Sequence, residues 1–203
     1  MYDIKKITQA LNYVATKSGS TSGFNKLKAI KLLYFADRYH LRKYGRSITN
    51  DNYYAMEYGP VGEVAKDVAE ESAFLDSKDR EYSEKFIKRI NQNNFKVVGE
   101  LDEEVFSESD TEALRFALEH FSKFNQFDLA KLSHAYPEWS KFKTLIEKST
   151  DRHPMSIEDF FSNPAKNDPY LSAYTNGLDY FKDFYDEHAQ ENYLENRKIE
   201  ISF

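Results

Sequence analysis

A chain of 203 residues is long enough to bury a real core and suits one domain, or one domain with an appendage. Its net charge is −6 and its 28 Lys and Arg form no basic stripe, which argues against direct nucleic-acid binding and favours a basic protein partner. No cysteine is present, so disulfides and thiolate metal sites are excluded, and no stretch approaches a membrane span; a soluble cytoplasmic protein is the expectation.

The first element is an amphipathic helix with Ile4, Ile7, Leu11 and Val14 on one face. "SGSTSG" is a loop by composition. "FNKLKAIKLLYFADRYHLRKYG" is the strongest helix in the chain, apolar around much of its circumference and therefore central. Arg42 and Lys43 sit in its last turn and Gly45 is placed for a left-handed cap. After the turn "SITNDN" comes a strand-like alternation of Tyr54, Met56 and Tyr58. It leads into a Gly59-Pro60 joint, with proline expected at the first position of a helix whose face carries Val61, Val64, Ala65 and Val68.

A hairpin follows, its arms Phe86 to Ile90 and Phe95 to Val98 joined by a polar turn. "SDTEALRFALEHF" reads as a helix opened by a capping box of Ser109 and Glu112. Next come a short helix through "FDLAKLSHA", a Pro137-started helix "PEWSKFKTLIEK" and a helical piece in "HPMSIEDFFSNP". The last long helix runs through "DPYLSAYTNGLDYFKDFYDEHAQENYL", capped by Asp168 and striped by Leu171, Tyr174, Leu178, Phe181 and Tyr185. The tail "KIEISF" alternates Ile199, Ile201 and Phe203 and predicts an edge strand. The expected fold class is α+β: a mainly helical domain with a central helix and a small antiparallel sheet.

The chemistry-bearing residues are sparse. Asp37 and His40 lie three apart on one helix face, a spacing that suits a metal or a proton relay, yet no matched second ligand pair exists. A hydrogen-bonded pair stitching the central helix to the sheet is the simpler reading. His134 precedes a Pro-started helix and reads as a capping or core residue; His153 and His188 read as surface residues. No nucleophile elbow or phosphate loop is present, and proline removes one donor from the helix mouth after Gly59. No catalytic residue, metal or cofactor is therefore expected. Fifteen tyrosines and sixteen phenylalanines against a single tryptophan supply both core and interface anchors.

Lys31, Leu32, Leu33 and Tyr34, then Gly45, then Tyr58, Gly59, Pro60 and Val61, and later Leu132, Ser133, His134 and Trp139 form a combination that resembles the Panacea domain family of SocA-like or GepA-like antitoxins. The resemblance covers about residues 1–150; residues 151–203 are expected to be a helical extension packed on the same domain. It implies a non-enzymatic antitoxin that neutralises a cognate protein toxin, encoded nearby and with a basic surface, by direct contact. One relative is instead an adaptor that delivers its toxin to a protease, which gives a second reading. A hydrolase using Asp37, His40 and His134 is the third. On the antitoxin reading Lys31, Tyr34, Asp37, His40, Gly59, Pro60, Val61, Ser133, His134 and Trp139 are scaffold. Tyr53, Tyr54, Glu57 and Tyr58 are candidates for the toxin-binding surface, with Tyr180, Asp183, Phe184 and Glu187 on the acidic flank of the last helix.

Overall fold

The computed structural model describes residues 1–149, 151–182 and 185–201, the last four as backbone only. Helix α1 (Ile4–Lys17) starts at Asp3, whose carboxylate accepts from the Lys6 N–H, and it buries Ile7, Leu11 and Val14 completely. Strand β1 (Phe24–Asn25) leads into α2 (Lys26–Tyr44), capped by Asn25 and ended by Gly45 at φ 72°. Helix α2 is buried continuously from Ala29 to Arg42 and packs against α1, α5 (Glu108–Phe121), α6 (Gln126–Ser133) and α10 (Glu187–Ile201). Such a helix is stable only because its own polar side chains find partners inside the fold.

Two small antiparallel sheets flank it. One has the order β1-β5-β4, where β4 (Ile87–Arg89) and β5 (Asn94–Val97) form the expected hairpin. The other has the order β3-β2-β6, from β2 (Tyr53–Met56), β3 (Gly59–Gly62) and β6 (His153–Pro154). Here the expectation fails: Pro60 and Val61 lie in a strand, and α3 (Glu63–Glu70) starts only after Gly62. Ala55 opposes Pro60 and Met56 opposes Gly59. Proline is tolerated because β3 is an edge strand and the Pro60 carbonyl turns away to accept from Lys31 Nζ at 2.5 Å. The mouth of α3 is filled by the chain's own Asp51, whose carboxylate accepts from Val64 N–H at 3.0 Å and Ala65 N–H at 2.9 Å. It therefore offers no open anion site.

Between the sheets α4 (Ser77–Ser83) is a short helix that the sequence reading missed. The capping box of α5 is Ser107 with Asp110, two residues before the expected pair. Asp110 also pairs with Lys6 and Arg46, and those tertiary contacts favour it; Ser109 bonds His40 and Glu112 pairs with Lys43 instead. "PEWSKFKTLIEK" folds as two single turns, α7 (Pro137–Ser140) and α8 (Lys143–Ile146).

The expected last long helix is broken. Helix α9 (Pro169–Thr175) is capped by Asp168 and stops at Asn176 and Gly177, which take φ values of 53° and 79°. An Asn-Gly pair enters the left-handed region at low cost, so the chain turns there. The stripe divides accordingly: Leu171 and Phe181 are buried, but Leu178 is 60% exposed. Helix α10 runs through Ile201, so Ile199 and Ile201 are helical and no edge strand forms there; Ser202 and Phe203 lie outside the described residues. No described helix is long and apolar enough to cross a membrane.

The segment after residue 150 is held by two buried arginines of α2, one turn apart. Arg38 pairs with Glu138 at 2.5 Å and donates to the carbonyls of Phe160 and Ser162. Arg42 donates to the carbonyls of Phe160, Phe161 and Ser162 and to Asn163 Oδ1. Their planar faces lie over Tyr136 and Tyr185, at 4.4 and 4.8 Å. Burial works against the Arg38 charge, but Glu138 outweighs it and holds the guanidinium above its usual range.

Candidate functional site

The β2–β3 hairpin is built on residues from three helices. Lys31 Nζ holds the Pro60 carbonyl, and burial pushes its pKa well below the usual lysine range. Trp139 Nε1 donates to the Met56 carbonyl at 2.9 Å and its ring stacks on His134, centroids 3.6 Å apart. Both arms of the Glu57–Tyr58 turn are thus pinned from below. Gly59 has φ +90°, and a Cβ there would overlap Ser133 Oγ and lie 3.0 Å from Lys31 Nζ. Ser133 Oγ in turn donates to the Ala130 carbonyl at 2.6 Å. Lys31, Gly59, Pro60, Ser133, His134 and Trp139 therefore gather under one hairpin turn.

The remaining α2 residues serve other segments. Tyr34 donates to Glu138 at 2.6 Å. Asp37 accepts from Ile48 N–H at 2.8 Å, Thr49 N–H at 3.2 Å, the Thr49 hydroxyl and the Tyr53 hydroxyl at 2.8 Å. It ties α2 to the turn and strand that follow. His40 goes elsewhere, to the Arg46 carbonyl at 2.6 Å, Ser109 Oγ at 3.0 Å and Asp110 at 3.3 Å. Burial pushes its pKa down to about 4. His134 is lowered to about 3, by burial first and then by Lys31, against the Glu57 backbone carbonyl. Asp37, His40 and His134 sit in three separate networks, and the geometry a hydrolase would need is not assembled. His153, expected at the surface, is half-buried and stacked on Phe142, whereas His188 is exposed.

The candidate binding residues divide by strand phase. Tyr53 is 4% exposed with its hydroxyl on Asp37; it is core, not surface. Tyr54 faces the other way, half-buried beneath the Arg152 guanidinium at 4.4 Å. Glu57 is exposed, and Tyr58, 49% exposed, tilts against Phe127, itself 52% exposed. Tyr180 is half-buried against His120 and Phe121 and so belongs to the packing of α5. Glu187 is exposed in the first turn of α10. Asp183 and Phe184 lie outside the described residues.

On its outward face the hairpin lines a groove of about 490 Å³. Tyr54, Met56 and Val61 form one wall, Tyr2, Val64, Phe74 and Leu75 continue it, and Glu63, Lys66, Asp67 and Arg152 complete the lining. Phe74 is 91% exposed. An aromatic side chain left in water beside an apolar groove is an interface feature. Sequence reasoning missed Tyr2 and Phe74; the Phe-Leu pair inside the polar run "EESAFLDSKD" was the available signal. It also missed Arg38, whose position inside an apolar helix marked it as buried and paired.

The family model for the antitoxin SocA-like Panacea domain matches residues 30–140, which contain α2 from Ile30 onward, both arms of the hairpin and the residues that pin it. No curated protein and no solved structure matches the chain.

Proposed function

The chain belongs to the SocA-like Panacea antitoxin family, and on that premise we propose that it neutralises a protein toxin by direct contact through the β2–β3 hairpin. The observation that carries this reading is the division of labour in the hairpin. Its inner side is fixed by Lys31, Ser133 and Trp139, while its outer side presents Tyr54, Met56 and Val61 beside the exposed Phe74. A rigid platform carrying apolar anchors loses little freedom on binding, which favours affinity. The net charge of −6 would draw in a basic toxin and raise the on-rate. A chain without cysteine suits the reducing cytoplasm, where we place the encounter.

Co-expression with the product of the neighbouring reading frame tests this. Growth should be rescued by the wild type and lost with Met56→Asp. Rescue that persists in protease-deficient cells supports occlusion of the toxin. Rescue that vanishes there supports delivery of the toxin to a protease, and a neighbouring product without toxicity contradicts the antitoxin reading.

A further inference from the structure

The hairpin turn has a second side. Away from the apolar groove, Glu57 stands over a separate cleft of about 410 Å³ whose floor carries His134 and Trp139 and whose other wall is Tyr170, Ile146, Glu147 and Lys143. Glu57 and Glu147 are exposed, and neither makes an ion pair among the described residues. The cleft's formal charge is the sum of two carboxylates and one ammonium. The imidazole adds none, because burial keeps it neutral well below pH 7. Its Nε2 is buried and has no hydrogen-bond partner among the described residues. Tyr170 meets the His134 ring edge-on at 5.6 Å and supplies an aromatic wall.

We propose that this cleft receives a lysine or arginine side chain of the toxin, so that the toxin grips the Glu57–Tyr58 turn from both sides. The proposal rests on the antitoxin reading above and adds the chemistry of the second contact. Two unpaired carboxylates beside an aromatic wall suit a cationic head on an apolar stem, which Ile146 and Tyr170 can cover. Lys143 opposes that cation, so its charge should weaken binding. An acidic partner residue would need Lys143 and would be repelled by both glutamates, which makes the sign of the Lys143 effect decisive.

The test uses the intact chain and the product of the neighbouring reading frame as the probe, with affinities measured by calorimetry at low salt. Glu57→Gln with Glu147→Gln should weaken binding about tenfold with an unchanged melting temperature, since both side chains are exposed. Lys143→Gln should leave binding unchanged or tighten it. Trp139 is the chain's single tryptophan, so its indole N–H gives one signal in isotope-labelled protein. That signal should shift when toxin binds. Wild-type affinity in the double glutamine variant, weaker binding by Lys143→Gln, or an unmoved Trp139 signal with bound toxin would each overturn the cleft's assignment while leaving the antitoxin reading intact. A neighbouring product that does not bind the wild type would overturn both.

Discussion

Replacing Glu138 with glutamine probes how α2 holds the C-terminal segment. Glu138 is fully buried, and its Oε1 receives both Arg38 Nη1 at 2.5 Å and the Tyr34 hydroxyl at 2.6 Å. Glutamine keeps the shape and an acceptor but removes the charge. Among the described residues Arg42, one turn away, is bonded only to neutral oxygens, and its pKa is pushed down to about 10 by burial and then by Arg38. Asp179 acts on both arginines without forming an ion pair to either among the described residues. Among the described residues the variant thus leaves two buried guanidiniums with no bonded anion, a change that costs about 3–5 kcal/mol. For a chain of this size each kcal/mol moves the melting temperature by about 2–4 °C, so the expected fall is about 6–20 °C. Urea unfolding with an unchanged m-value measures the free energy directly. Amide exchange should accelerate most in the turn Ile157–Phe161, whose carbonyls face the arginines. A loss under about 1 kcal/mol would refute the reasoning, because Arg38 would then have to be satisfied by carbonyls alone.

Gly59→Ala should lower stability by about 1–3 kcal/mol from backbone strain at φ +90°, with a further cost from the overlap with Ser133; a fully stable variant that merely loses toxin binding would show that Gly59 is not scaffold. His40 and His134 have folded pKa values near 4 and 3 against about 6.5 unfolded. The unfolded chain therefore binds more protons below pH 6.5, and their contribution to stability should be complete above that pH and lost as pH falls through 4 toward 3. Ring titration by NMR together with melting at a series of pH values checks this, and an imidazole that protonates near 6.5 in the folded chain would contradict it. Phe74→Ala should leave the melting temperature unchanged, since the side chain is 91% exposed, yet weaken toxin binding by about 2 kcal/mol or more if Phe74 is an anchor. Full neutralisation by that variant would move the anchor elsewhere on the groove.

Some of this fold could be read directly from the residues. Helix α2 announces itself through an apolar circumference and Gly45, and the β4–β5 hairpin through its two apolar arms and polar turn. The β2–β3 hairpin could not be read, because proline fits equally well at a helix start and in an edge strand. Only the partner of its carbonyl, Lys31, decides between them. The same pairing sets the phase that buries Tyr53 and leaves Tyr54 at the surface; side-chain chemistry does not distinguish the two. Asn176-Gly177 carried a legible stop signal, but an aromatic stripe of helical spacing on both sides masked it. In the tail, alternation over a few residues was too short to compete with helix propagation from Glu187. The candidate site was legible as a stretch of chain, 53–61, but not as a surface. The groove needs Tyr2 and Phe74, and the cleft needs Glu147 and Tyr170, which only tertiary packing brings to the hairpin.

The most direct test of the account is hydrogen–deuterium exchange of the chain with and without the product of the neighbouring reading frame. Docking through the hairpin predicts new protection in β2, β3 and the loop carrying Phe74, with little change in α10. Protection confined to α10, or none at these segments while the toxin is bound and inactive, would contradict it.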